Sequence, residues 1–94
     1  MKGIIYSPHL EFRLKLRQIP KSLVKRIFRT SSERYFDTLT RKYIVVSQVK
    51  YKNQMREMAV IYEMHENQVV LITIHPLKFS QKLNRIKSER WQII

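Results

Sequence analysis

The chain has 94 residues, of which 44% are hydrophobic, and it carries a formal net charge of +12 at pH 7 with no cysteine. This length predicts a single domain, 1–94, with one modest core, and the absence of cysteine excludes disulfides, thiolate zinc sites and cysteine nucleophiles. With one glycine in the chain, no phosphate-cradling fingerprint is present, so we expect no cofactor.

The positive charge is concentrated at the two ends of the chain. Residues 1–30 carry eight Lys and Arg against one acid, and residues 77–94 carry five against one, whereas residues 31–76 are nearly neutral with six against five. Such an excess predicts a polyanionic partner, nucleic acid above all. No stretch approaches the roughly 20 apolar residues of a membrane span, so we expect no membrane partner and a cytoplasmic location.

The first elements in chain order are a short strand and two helices. Gly3 to Tyr6 is predicted as the strand, and a helix is predicted from about Pro8 to Arg17, because Ser is a favoured N-cap and Pro is tolerated at the first helical position. A second helix is predicted from Pro20 or Lys21 to the break at Thr30, with an apolar face and a solvated basic face.

A stripe of basic side chains lies along the first predicted helix, at positions four residues apart. It consists of His9, Arg13 and Arg17. Leu10 and Leu14 flank the stripe on one side, and Phe12 and Leu16 on the other, so we expect the stripe to be partly sheltered and in need of partners. Those partners are either an anionic ligand or internal groups, and the internal candidates are Asp37, Glu57 and Glu63.

Four strands and a tail helix are predicted from the remaining residues. The strands are Arg34–Asp37, Lys42–Tyr51, Met55–Met64 and Gln68–His75, and the helix is about Gln81–Arg90 with Ser80 as its cap. The order predicts an α+β fold in which helices pack on one face of an antiparallel meander of three to four strands.

The basic tail, about residues 77–94, is a candidate arm for binding nucleic acid. Its candidate contacts are Lys78, Lys82, Arg85, Lys87, Arg90 and Trp91. An exposed Trp would stack on a base, a contact typically worth about 1–3 kcal/mol. The alternative for Trp91 is that it anchors the tail to the core.

Several short motifs resemble one family. They are Ser7-Pro8-His9, Arg13, Arg17, Tyr35, Tyr43, Thr73-Ile74-His75-Pro76 and the tail Asn84–Trp91. Together with the order of elements they resemble DUF4258, a domain family within or near the RelE/ParE toxin-like superfamily. The resemblance implies a RelE-like fold and RNA as a partner, including messenger RNA on the ribosome. It also implies an acidic antitoxin, because relatives are often ribonucleases held in check by one, while others poison gyrase.

Metal-free RNA cleavage needs a base, an acid and cations that stabilise the phosphate. His9 is the first candidate for acid or base, since it lies where the N–H groups at a helix N-terminus also favour an anion. Arg13 and Arg17 are the candidate phosphate ligands, and His75, before Pro76, is the second histidine candidate. The alternative for His75 is a structural bond to a backbone carbonyl, and His65 is expected at the surface. No histidine spacing predicts a metal site.

Three functions follow as hypotheses. The leading one is a toxin-like, metal-independent endoribonuclease of a toxin–antitoxin type system. The second is a non-catalytic nucleic-acid-binding module, and the third is an interaction protein that binds an acidic partner.

Overall fold

The computed structural model describes residues 3–94, which form six strands and three helices in an α+β fold. In chain order they are β1 (Gly3–Tyr6), α1 (Pro8–Arg17), α2 (Lys21–Thr30), β2 (Glu33–Asp37), β3 (Tyr43–Tyr51), β4 (Gln54–Met64), β5 (Gln68–Pro76), α3 (Phe79–Lys87) and β6 (Trp91–Ile93). The predicted α+β class is confirmed. No helix among these residues is long and apolar enough to cross a membrane.

Helix α1 begins and ends as its local sequence predicts. The Ser7 side chain accepts a hydrogen bond from the Leu10 N–H at 3.0 Å, and Pro8 occupies the first turn. At the other end Gln18 adopts a left-handed conformation with φ 56°, and its N–H bonds to carbonyls of the last turn. The chain then enters α2 through the extended residue Pro20.

The sheet is larger than predicted. Its strand order is β1-β5-β4-β3-β2-β6, and every neighbouring pair is antiparallel except β1 and β5, which are parallel. The predicted meander is therefore the four central strands β2 to β5. A parallel strand is added at one edge and β6 at the other, so the expected sheet of three to four strands is corrected to a mixed sheet of six.

The tail differs from its prediction in both helix bounds and strand content. Helix α3 begins at Phe79, with Lys78 as N-cap and no side-chain cap bond, so Ser80 does not cap it. It ends at Lys87 because Glu89 turns the chain with φ 62°. The last three residues predicted as helical, 88–90, therefore lie beyond the end of α3, and Trp91 begins β6.

Two hydrophobic clusters cover the two faces of the sheet. Alternate strand residues face opposite ways, so Val45 and Val60 pack against α1 and α2, whereas Val46 and Ala59 join the cluster that includes Ile86 of α3. The expectation that helices pack on one face is confirmed for α1 and α2 and corrected for α3, which packs on the other.

Strand β1 covers only the first part of one edge of β5, and α1 lies beside the rest of that edge. Strand β1 pairs with β5 only as far as Leu71. Beyond that point Ser7 takes over, because its N–H donates to the Leu71 carbonyl at 2.9 Å and its Oγ donates to the Ile72 carbonyl at 2.8 Å. Helix α1 therefore packs beside the second half of β5, which carries His75.

Candidate nucleic-acid interface

The basic stripe of α1 lines a shallow groove. The groove has a volume of about 180 Å³ and is lined by His9, Phe12, Arg13, Leu16 and Arg17. Arg13 and Arg17 are half-buried and His9 is exposed. The expected apolar flanks differ: Leu10 and Leu14 are buried in the core, whereas Phe12 and Leu16 are 66% and 70% exposed. The expected shelter is therefore present on one side of the stripe only.

The three carboxylates that were the internal alternative to an anionic ligand of the stripe bind other cations. Asp37 pairs with Arg90, Glu57 with Lys82 and Glu63 with Lys42. Within residues 3–94, no carboxylate lies within 4.0 Å of the guanidinium of Arg13 or Arg17. Within these residues, no ion pair therefore neutralises the charge of the two arginines of the stripe.

His75 lies half-buried on β5, opposite Ala59 of β4, and three arginines act on it. Burial lowers the pKa of His75, and the positive charges of Arg13, Arg17 and Arg85 lower it further. A lowered pKa keeps the imidazole neutral near pH 7, so it can accept a proton. The arginines whose charges act on His75 lie on α1 and α3.

This cluster, formed by His75, Arg13, Arg17 and Arg85, is called the arginine–histidine cluster below. The sequence analysis named all four residues but did not group them. It placed Arg13 and Arg17 on the stripe of α1 and Arg85 in the tail arm, and it ranked His9 above His75. In the structure, the positive charges of all three arginines act on His75. His9 shares the groove with Arg13 and Arg17.

Lys82 of the predicted tail arm is held inside the protein. Its Nζ donates to Glu57 at 2.7 Å and to Glu33 at 3.0 Å, and its side chain is only 14% exposed. Burial alone would lower the pKa of Lys82, but the two carboxylates raise it. Lys82 is therefore a bridge between α3 and the sheet and is withdrawn from the candidate interface.

Arg90 and Trp91 are held by the buried carboxylate of Asp37. Arg90 donates two hydrogen bonds to it, at 3.0 and 3.1 Å, and the Trp91 Nε1–H donates a third at 3.3 Å. Trp91 is also stacked on Tyr35 with ring centroids 5.5 Å apart. These contacts support the anchor alternative for Trp91, and they leave Lys78 and Lys87 as the exposed cations of the tail.

Hydrogen bonds stabilise the ionised form of the Asp37 carboxyl group. Burial alone would raise its pKa, but the bonds from Arg90 and from the backbone N–H groups of Leu39 and Thr40 lower the pKa of Asp37 to about 2. The charge on Asp37 therefore persists over the whole physiological pH range and fixes the start of β6.

A larger surface concavity lies away from the stripe of α1. It measures about 500 Å³ and is formed at the turn between α1 and α2, around Ile19 and Pro20. Of its charged residues, Glu11 and Lys21 form an exposed ion pair at 3.2 Å, and Lys15 is the third. No histidine lines it. We therefore place the candidate interface at the smaller groove, where the cations lack carboxylate partners.

Comparisons with known proteins do not identify this chain. No protein-family model, curated protein or solved structure matches it. Its function is therefore inferred from the geometry and charge of the arginine–histidine cluster.

Proposed function

We propose that this protein is a toxin-like, metal-independent endoribonuclease that uses the arginine–histidine cluster. One observation carries the proposal: His75 is half-buried, the positive charges of Arg13, Arg17 and Arg85 act on it, and no carboxylate in residues 3–94 forms an ion pair with those three arginines. A neutral imidazole beside unpaired guanidinium groups is suited to a substrate that brings both a proton to remove and a negative charge to bind.

The cluster supplies the groups that cleavage of an RNA phosphodiester needs. Neutral His75 accepts the proton of a ribose 2′-OH, whose oxygen attacks the adjacent phosphorus. Arg13 and Arg17 bind the phosphate oxygens as negative charge builds up on them. His9 then donates a proton to the departing 5′-oxygen. The products are a 2′,3′-cyclic phosphate and a 5′-hydroxyl end, so no metal ion and no added nucleophile are required.

The fold is compatible with the RelE-like architecture that the resemblance implies. A short first strand is followed by two helices on one face of a four-stranded antiparallel meander. The partners proposed with this fold are RNA, including messenger RNA on the ribosome, and an acidic antitoxin that would neutralise the same cations.

The proposal is tested with His75→Ala and an RNA cleavage assay in EDTA. A general acid or base typically contributes about 10²- to 10⁴-fold, so the variant is expected to lose that much cleavage rate while still binding RNA. His65→Ala is the matched control, because His65 is exposed in the β4–β5 turn. Cleavage at the wild-type rate by His75→Ala, or no cleavage by the wild type, contradicts the proposal.

A non-catalytic nucleic-acid-binding module is the second candidate. The unpaired arginines and the exposed Lys78 and Lys87 favour it, because phosphate binding alone uses them. This candidate predicts tight RNA binding that weakens steeply with salt and yields no products on a gel.

A further inference from the structure

An aromatic ring stands exposed in the groove next to the arginine–histidine cluster. Phe12 is 66% exposed and Leu16, one helical turn later, is 70% exposed. Burial of a Phe side chain stabilises a fold, and this chain forgoes most of that stabilisation here. The neighbouring residues of α1, Leu10 and Leu14, are buried, so the exposure of Phe12 is not a consequence of a loose helix.

The surroundings of the ring are cationic. The remaining groove residues are His9, Arg13 and Arg17. A purely apolar partner would cover the two arginines without neutralising them, which is costly. A ligand that combines a flat apolar surface with regularly spaced negative charges satisfies both parts of the groove, and a nucleotide has that combination.

We infer that Phe12 is a stacking platform for one unpaired base of a single-stranded RNA whose phosphates are bound by Arg13 and Arg17. The inference rests on the proposed function and narrows its substrate to RNA with unpaired bases. In a duplex, both faces of an internal base are covered by its neighbours, so it cannot reach the ring. Stacking on an aromatic side chain tolerates all four bases, so the platform selects strandedness rather than sequence.

The test measures the affinity of Phe12→Ala for a single-stranded RNA and for a duplex of the same length. Loss of a stacked base, about 1–3 kcal/mol, corresponds to a roughly five- to 150-fold weaker single-strand complex. Phe12→Trp is expected to retain wild-type affinity, and the duplex affinity is expected to stay unchanged. Leu39→Ala is the matched control, because Leu39 is 70% exposed in the β2–β3 turn and lies outside the groove. Thermal unfolding shows that each variant is folded.

Three results would overturn the inference. In the first, Phe12→Ala binds single-stranded RNA with wild-type affinity. In the second, Phe12→Ala weakens the binding of single strand and duplex equally. In the third, Phe12→Ala loses binding to an acidic protein partner but keeps its affinity for RNA. These are distinct from failure of the proposed function. If the wild-type protein cleaves RNA and Phe12→Ala binds and cleaves it equally well, only the stacking inference is contradicted. If the wild-type protein binds single strands through Phe12 but releases no products, only the ribonuclease proposal is contradicted.

Discussion

The arginine–histidine cluster and the tail use the same kinds of side chain, but they differ in what neutralises them. In the tail, Arg90 donates two hydrogen bonds to buried Asp37, and Lys82 bridges Glu33 and Glu57. In the cluster, the charges of Arg13 and Arg17 act on a half-buried histidine, and no carboxylate of residues 3–94 pairs with these arginines. A cation that an ion pair within the fold already neutralises is not available to bind a ligand.

The difference shows that the count of basic residues overstates the binding surface. Five cations lie in residues 77–94, yet Lys82 and Arg90 hold the tail to the sheet through the bonds described above. The near-neutral middle of the chain supplies the acids that bind them, since Glu33, Asp37 and Glu57 all lie on β2 or β4. The carboxylates of the sheet therefore determine which cations are paired within the fold and which can bind a ligand.

The largest expected effect comes from removing the anchor of the tail. Asp37→Ala leaves Arg90 and the Trp91 N–H without their acceptor in a partly buried site, and breaking such a pair typically costs about 3–5 kcal/mol. We expect a large drop in the free energy of unfolding, measured by urea denaturation. Glu66→Ala is the control, because that exposed carboxylate makes no ion pair within residues 3–94. Equal stabilities for the two variants would show that the tail is not anchored as described.

The same carboxylate makes stability depend on acid pH. The pKa of Asp37 is about 2 in the folded protein, against an ordinary value of 3.8, so the folded state favours the ionised form. Its contribution, about 2 kcal/mol, is present above pH 4 and is lost as the pH falls towards 2. Urea unfolding between pH 6 and pH 2 measures this loss, and Asp37→Asn is expected to flatten that part of the profile. A parallel profile in the variant contradicts the assignment.

Much of the fold could be predicted because its signals are local. Ser7 and Pro8 mark the start of α1, and the alternating residues of β3 and β4 mark two strands. The parallel pairing of β1 with β5 joins segments more than 60 residues apart and leaves no local signal. Strand β6 has three residues and exists because Asp37 fixes the chain before it, so its cause also lies far away in the sequence.

The residues of the candidate site could be predicted from the sequence, but which of them act together could not. Helical spacing places Arg13 and Arg17 on one stripe, yet the position of His75 beside them depends on α1 filling the open edge of β5. The two apolar flanks of the stripe also look alike in sequence. Only packing shows that the leucine pair enters the core and that Phe12 stays in the solvent.

The last prediction measures the cluster directly, through the titration of one proton. Because the charges of Arg13 and Arg17 disfavour the imidazolium, the double variant Arg13→Ala, Arg17→Ala is expected to raise the pKa of His75. The pKa stays below its ordinary value, since burial is the largest cause of the shift and persists. NMR titration of the imidazole protons measures it. Arg26→Ala is the control, because Arg26 lies on α2 and is not among the charges that act on His75. An unchanged titration in the double variant would mean that Arg13 and Arg17 do not act on His75, and the cluster as defined here would not exist.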